Sequence, residues 1–209
     1  MDERTGRMKV AAVILAAGAG SRFGGGKLLA DLDGRTIVRH VVDAARSAGL
    51  GPIVVVVPPT GELDALDLGA VRRVTNETPQ EGLSSSVRLG LHELDGDDGV
   101  DAAVILPGDQ PRVRAEVIRK LIARAVAETA PLLIAPLYDA DGAPNPILAR
   151  RAAWRLADEL VGDRGFGPLL AGRPDLVQRV QVAGTNPDVD TRADLARLTE
   201  PEGSAPDVS

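Results

Sequence analysis

The chain contains no cysteine. Disulfides, thiolate metal sites and a cysteine nucleophile are therefore excluded. Only two histidines are present, His40 and His92, far apart and in stretches of helical pattern. They offer neither a histidine zinc site nor the base of a Ser-His-Asp triad. Aromatic residues make up 2% of the chain, so the core must come from Val, Leu, Ile and Ala. Such a core suits a buried parallel sheet covered by helices. Positive charge is not in excess: the formal net charge is -6, unlike the basic face of a nucleic-acid binder. No apolar run approaches the roughly 18 residues that would span a bilayer. The polar start, MDERTGRMKV, does not read as a signal peptide. The expectation is a cytoplasmic protein with no membrane and no nucleic-acid partner.

What is present is ordinary for a globular chain: 209 residues, 44% hydrophobic and 26% charged. This fits one domain over residues 1–199, followed by a polar, proline-bearing tail at 200–209 that is expected to be disordered. Short apolar runs predict buried strands at Val10–Ala17, Ile53–Val57 and Ala102–Leu106, and further strands are expected at Val71–Thr75, Leu132–Pro136 and Leu176–Val182. Helical periodicity predicts helices at Thr36–Ala48 with Gly49 as C-cap, Ser84–Leu94 with a serine N-cap, Val113–Thr129, Arg151–Leu160 and Thr191–Leu198 capped by Thr191. Gly61–Gly69 reads as weakly helical, and Tyr138–Gly172 as less regular. Strands alternate with helices, the pattern of a Rossmann-like three-layer α/β/α fold with a mostly parallel sheet. Ligands of such sheets bind beyond the C-terminal ends of the strands.

The first such loop is the richest. Leu15-Ala16-Ala17-Gly18-Ala19-Gly20-Ser21-Arg22-Phe23-Gly24-Gly25-Gly26-Lys27 has five glycines between positions 18 and 26. Glycines let the backbone approach a ligand and turn successive N–H groups toward phosphate oxygens. Arg22 supplies a planar fork and Lys27 a point charge. The stretch reads as a triphosphate cradle; the plain alternative is a flexible turn with two solvated cations. It is not a Walker loop, because Leu28 follows Lys27 and position 22 is Arg22. Nor is it a dinucleotide fingerprint, because Phe23 stands where the third glycine belongs.

Leu106-Pro107-Gly108-Asp109-Gln110-Pro111 sets a carboxylate at the end of another strand. Asp109 suits a hard cation such as Mg²⁺, which takes one or two carboxylates plus phosphate oxygens; a turn aspartate capping the next helix is the alternative. Asn186-Pro187-Asp188-Val189-Asp190-Thr191 offers Asp188 and Asp190, and spacing does not choose between them as second ligand. Glu81-Gly82-Leu83-Ser84-Ser85-Ser86-Val87-Arg88 opens a helix whose free N–H groups and hydroxyls suit a ribose or base, or simply cap the helix. A serine nucleophile is not supported, since no histidine is placed to serve it.

Four motifs in this order, LAAGxGxRFGxxK, GLSSSVRxG, LPGDQP and NPDVDTxxDL, resemble the molybdenum cofactor nucleotidyltransferases, the cytidylyltransferase branch in particular. The likeness runs from about Val10 to Leu198. The first motif is shared loosely with sugar-phosphate and methylerythritol-phosphate nucleotidyltransferases. The resemblance implies a nucleotide side made by Leu15, Ala16, Ala17, Gly18, Gly20, Ser21, Arg22, Gly24, Lys27, Asn76, Gly82, Ser84 and Ser85. It implies Mg²⁺ on Asp109 and Asp190, with Arg22, Lys27 and Asp109 catalytic. It also implies an acceptor side at Gln110, Asn145 and Asp163. Ala16-Ala17-Gly18, in place of the Ala-Gly-Gly of guanylyl enzymes, favours CTP as donor. Its partners would be a phosphorylated small-molecule acceptor, molybdopterin first, and a molybdoenzyme that receives the finished cofactor. Two departures fall on the acceptor side. Pro144-Asn145-Pro146 stands where Gly-His-Pro is usual, and Gly162-Asp163-Arg164-Gly165-Phe166-Gly167 where Gly-Asp-x-Gly-Ala-Arg is usual.

The expected chemistry is attack of an acceptor phosphate on the α-phosphorus, with pyrophosphate leaving. A phosphate monoester is already mostly dianionic at neutral pH, so no general base is required. Two rivals remain: a transferase of the same fold acting on a sugar phosphate or other phosphorylated metabolite, and a non-catalytic nucleotide-binding protein.

Overall fold

The computed structural model describes residues 8–18, 20–140 and 142–199. The expected disordered tail at 200–209 lies outside the described residues, as does Ala19 of the glycine loop. The strands are β1 (Val10–Leu15), β2 (Asp31–Leu32), β3 (Arg35–Thr36), β4 (Ile53–Val57), β5 (Arg72–Thr75), β6 (Ala102–Pro107), β7 (Leu133–Tyr138), β8 (Ile147–Arg150) and β9 (Val177–Val182). The helices are α1 (Ile37–Ser47), α2 (Leu83–His92), α3 (Ala115–Ala127), α4 (Gly167–Gly172) and α5 (Arg192–Thr199).

Seven strands form one sheet in the order β5-β4-β1-β6-β8-β7-β9, and β2 and β3 make a separate small hairpin. In the large sheet β8 alone runs against the others, pairing antiparallel with both β6 and β7. β1 lies inside the sheet, with Leu15 level with Val56 on one side and Pro107 on the other. The chain first builds outward from β1 through β4 to β5, then crosses to β6 on the opposite side. The reversal falls between β1 and β6, where open α/β sheets make a crevice at the C-terminal strand ends.

The sheet's alternation sorts the core into two layers. Ala12, Ile14, Val55 and Val104 face Ile37, Val38, Val41 and Val42 of α1 and Val117, Ile118 and Leu121 of α3. Ala11, Val13, Val54, Val56 and Ile105 face Val87 and Leu91 of α2, with Trp154, Leu156 and Phe166. Both faces of β1 are covered, so VAAVIL is apolar throughout rather than alternating. α2 lies very close to β1: a Cβ on Gly90 would stand 2.3 Å from Val13 Cγ1. A side chain has no room there, which is why glycine occupies the middle of this helix.

Several elements differ from the sequence reading. Gly61–Gly69 is a series of turns, not a helix. Only Leu63 and Leu68 are buried within it, and five residues' separation does not mark one helical face. Arg39 and Arg46 of α1 hold it by donating to the carbonyls of Asp67 and Leu68, 2.8 and 2.9 Å away. α2 starts at Leu83 with Gly82 as N-cap and no side-chain cap bond, so Ser84 is not the cap. Arg151–Glu159 is a 3₁₀ run. Within the region read as irregular, β8 and α4 are regular elements. Thr191 does cap α5: its Oγ1 accepts from the Asp194 N–H (3.1 Å) while its own N–H donates to Asp194 Oδ2 (2.7 Å).

Candidate active site

The cleft opens where β1 ends. Beyond Leu15 the Ala16 N–H still reaches the Val56 carbonyl (2.8 Å), and then the chain leaves the sheet. Gly20, Gly24, Gly25 and Gly26 all have positive φ, between 56° and 91°. These left-handed turns are open to glycine at no steric cost. Two apolar anchors hold the loop down: Phe23 and Leu28 are buried. The Arg192 guanidinium of α5 lies 5.0 Å from the centre of the Phe23 ring. With Phe23 and Leu28 pointing inward, the neighbouring Arg22 and Lys27 line the cleft.

β6 supplies the opposite wall. The Gly108 N–H donates to the Leu15 carbonyl (2.9 Å), pinning the loop after β6 against the end of β1. Asp109 follows. Its carbonyl accepts the Val189 N–H (2.9 Å), which lays the segment carrying Asp188 and Asp190 beside it. The side chains then converge on one ammonium. Lys27 Nζ lies 2.7 Å from Asp109 Oδ2 and 3.3 Å from Asp190 Oδ1. Arg22 Nη1 reaches Asp190 Oδ2 at 2.9 Å. The Lys27 side chain is only 10% exposed. Burial by itself would lower its pKa, but the charge and hydrogen bond of Asp109, then those of Asp190, outweigh it and raise the pKa.

Asp188 points elsewhere. Its Oδ1 accepts from Gln110 Nε2 (2.8 Å), and Gln110 Oε1 accepts from Asn186 Nδ2 (2.8 Å). Desolvation, followed by the charge of Asp109, pushes the Asp188 carboxyl above its usual range. Gln110 is buried, with both ends of its amide engaged, and does not line the cleft.

The third wall is the entry to α2. Asn76 Nδ2 donates to Ser85 Oγ and Ser86 Oγ, each at 2.9 Å, and Asn76 Oδ1 accepts the Thr78 N–H (3.0 Å). Asn76, Ser84 and Ser85 are buried beneath the cleft wall rather than lining it. The lining residues there are Pro79, Gln80, Gly82, Leu83 and Ser86. Pro79 and Gln80 fall within the Asn76 to Gly90 stretch that carries the resemblance, but neither is charged and neither is singled out as a site residue. Of the expected nucleotide residues, Leu15, Ala17, Gly18, Gly20, Ser21, Arg22, Lys27 and Gly82 line this cleft of about 510 Å³, with Asp109, Asp163 and Asp190. Ala16 is buried behind it, and Gly24 is exposed outside it.

A second cavity of about 200 Å³ adjoins the cleft through Leu15, Leu83, Pro107 and Asp163. Val87, Ile105, Pro144, Ile147 and Phe166 make its apolar wall, and Asn145, Asp163 and Arg164 are its polar members. Asp163 Oδ1 accepts the Leu83 N–H at 3.2 Å, tying this cavity to the first turn of α2. The Asn145 carbonyl accepts from Tyr138 Oη (2.8 Å) and from Asn186 Nδ2 (3.4 Å). Burial pushes the Tyr138 phenol up to about 12. Asn145 and Asp163 therefore share one cavity, whereas Gln110 lies behind it in the polar network.

Among the described residues, no three His, Asp or Glu side chains form a preassembled cation cage. Asp109 and Asp190 nonetheless present hard oxygens on either side of one positive charge, the Lys27 ammonium. This donor set fits a cation that completes its shell with phosphate oxygens and water.

Residues 12–180 match the family model described as the MobA-like NTP transferase domain. Among curated proteins, Bifunctional protein GlmU of Streptomyces avermitilis is 36% identical over 140 residues, 63% of this chain and 29% of its own length. The 3-deoxy-manno-octulosonate cytidylyltransferase of Rhodospirillum centenum is 33% identical over 93 residues, 44% of this chain and 36% of its own. The chain thus spans about a third of the length of these curated relatives. Among solved structures, Rv0371c of Mycobacterium tuberculosis superposes with a TM-score of 0.79 at 26% identity, covering 92% of this chain and 98% of that one. A structure of Rv0371c in complex with manganese superposes with a TM-score of 0.72, covering 91% of this chain and 98% of that one.

Proposed function

The chain belongs to the MobA-like NTP transferase family, and from that premise we propose that it moves the nucleotidyl group of a nucleoside triphosphate, CTP first, to a phosphorylated acceptor, with molybdopterin as the preferred candidate. The observation that carries this reading is the meeting of Arg22, Lys27, Asp109 and Asp190 at the strand-order reversal between β1 and β6.

In the proposed reaction an acceptor phosphate oxygen attacks the α-phosphorus, the bond from that phosphorus to the bridging oxygen breaks, and pyrophosphate leaves with that oxygen. The glycine loop offers backbone N–H groups to the phosphates, and Arg22 and Lys27 neutralise charge building on the leaving group. Asp109 and Asp190 would hold a divalent cation, magnesium in this reading. When bound it would supply charge neutralisation across the phosphates and help hold them in line. The acceptor would occupy the cavity beside the cleft. Its wall is largely apolar, with Asn145, Asp163 and Arg164 as its few polar groups. That favours a flat heterocyclic body over a polyol, which would need a polar partner for each hydroxyl. Cytidine is favoured by Ala16-Ala17-Gly18 and by the likeness to a cytidylyltransferase.

The same likeness supports a second reading, in which the acceptor is a sugar acid or sugar phosphate. Asn145, where histidine is usual, is consistent with a changed acceptor. Pyrophosphate release separates the two. CTP, GTP and ATP are each paired with a molybdopterin-type, a sugar-phosphate and a sugar-acid acceptor in the presence of Mg²⁺. Release with CTP and the pterin supports the first reading, release only with a sugar acceptor supports the second, and binding of nucleotide without release under any pairing leaves a non-catalytic protein.

A further inference from the structure

We propose that Lys27 is a resident counter-ion that holds the seat between Asp109 and Asp190 in the free protein, so that a divalent cation enters this site together with the nucleotide and not ahead of it. The inference rests on the reading of these two aspartates as cation ligands. It adds an order of events that the reading alone does not contain.

Geometry comes first. One ammonium sits 2.7 Å from Asp109 and 3.3 Å from Asp190, within reach of the oxygens a metal ion would use. Lys27 lines the cleft, yet its side chain is only 10% exposed because the two carboxylates cover its ammonium. Its stem packs beside the glycine loop, where the position of a Cβ on Gly20 would be 3.3 Å from Lys27 Cβ. The ammonium borders the cleft in which the triphosphate would lie.

Charge balance points the same way. Arg22 and Lys27 bring two positive charges to Asp109 and Asp190, which bring two negative ones. The four side chains are mutually neutralised, and neither carboxylate is left without a cation. A divalent ion arriving alone would have to displace the ammonium from both carboxylates at once, or share oxygens with it at close range against strong repulsion. A triphosphate changes this, because it gives Lys27 and Arg22 new anionic partners and releases Asp109 and Asp190 to the metal. Both sets of charges stay paired before and after the exchange. Binding of cation and of nucleotide must then strengthen one another by the same factor.

The test uses the full chain and Mn²⁺, whose free ion is counted by electron paramagnetic resonance. Without nucleotide, the wild type is expected to bind Mn²⁺ weakly at this site, and Lys27→Gln about tenfold or more tightly, within the range usual for coupled sites. Arg22→Gln removes only the exposed partner of Asp190 and is expected to gain less, in the same direction. It also carries little risk to folding, its side chain being 77% exposed. Adding Asp109→Asn to Lys27→Gln is expected to abolish the gain. If neither single variant binds Mn²⁺ more tightly than wild type, or if the gain survives Asp109→Asn, the proposal is overturned. Pyrophosphate release by a protein whose Lys27→Gln variant shows no gain would remove this inference while leaving the transferase reading intact. A clear gain without pyrophosphate release under any condition would do the reverse.

Discussion

Asp109 and Asp190 share Lys27, yet they are not equivalent: Asp109 makes the shorter contact, and Asp190 also holds Arg22. Asp109→Ala is expected to reduce turnover by at least about a hundredfold, the scale seen when one preorganised electrostatic group is removed from a reacting centre. Full activity at saturating Mg²⁺ would contradict that role. Asp188 and Asp190 are formally alike in sequence, two residues apart on one segment. The fold separates them, turning Asp190 to the cations and Asp188 to Gln110. Asp190→Asn is therefore expected to lower kcat sharply and Asp188→Asn only slightly; the reverse order would exchange their roles. Spacing alone does not show this division; only the motif resemblance singles out Asp190. Lys27 stands 82 and 163 positions from its two partners, and only the sheet brings them together.

Two helices show what local pattern can and cannot reveal. α2 was expected from its periodicity and is present, but its start was misplaced. Serines suggest a cap, whereas Gly82 takes that position and Ser85 and Ser86 turn inward to Asn76. The close approach of α2 to β1 gives Gly90→Ala a definite cost. The added carbon would fall 2.3 Å from Val13 Cγ1, and overpacking of that kind is expected to destabilise by about 1–3 kcal/mol in denaturant unfolding. No loss of stability would mean that the helix stands further off. α5 was placed correctly because its cap is local: Thr191 and Asp194 bond each other across three residues. Those bonds, first from the Thr191 hydroxyl and then from its N–H, hold the Asp194 carboxyl below the ordinary aspartate value of 3.8. The ionised form is the one that the folded chain favours. Its contribution is therefore fully present above pH 3.8 and is lost as pH falls through the lowered folded value. Asp194→Asn is expected to lower the Tm at pH 7, with the difference from wild type shrinking in that acidic window. A difference that grew on acidification would contradict the assignment. β8 escaped the sequence reading for a physical reason. It is four residues long, follows a proline-rich stretch and runs against its neighbours, so neither alternation nor length distinguishes it from a loop.

The architecture as a whole was legible where chemistry and chain order coincide. Alternating strands and helices implied the layered sheet, and apolar β1, β4 and β6 implied a core covered on both faces. Most of the motif residues lie on loops beyond the C-terminal ends of the strands, with GLSSSVRxG on α2, and many of them line the cleft. The cavity proposed for the acceptor was less legible. Its walls come from separate places, Leu83, Ile105, Ile147 and Phe166 among them, and no short pattern records that they meet. Among the described residues, no helix is long and apolar enough to cross a membrane. Arg22, Lys27, Asp109 and Asp190 meet at the β1–β6 reversal, and the proposed transfer is set apart from a kinase-like one by which phosphorus is attacked there. CTP labelled at the α-phosphorus and CTP labelled at the γ-phosphorus, each incubated with Mg²⁺ and the phosphorylated pterin, measure it directly. The α-label is expected in the acceptor product and the γ-label in pyrophosphate. Transfer of the γ-label to the acceptor, or no transfer of either, would contradict nucleotidyl transfer to the pterin at this site.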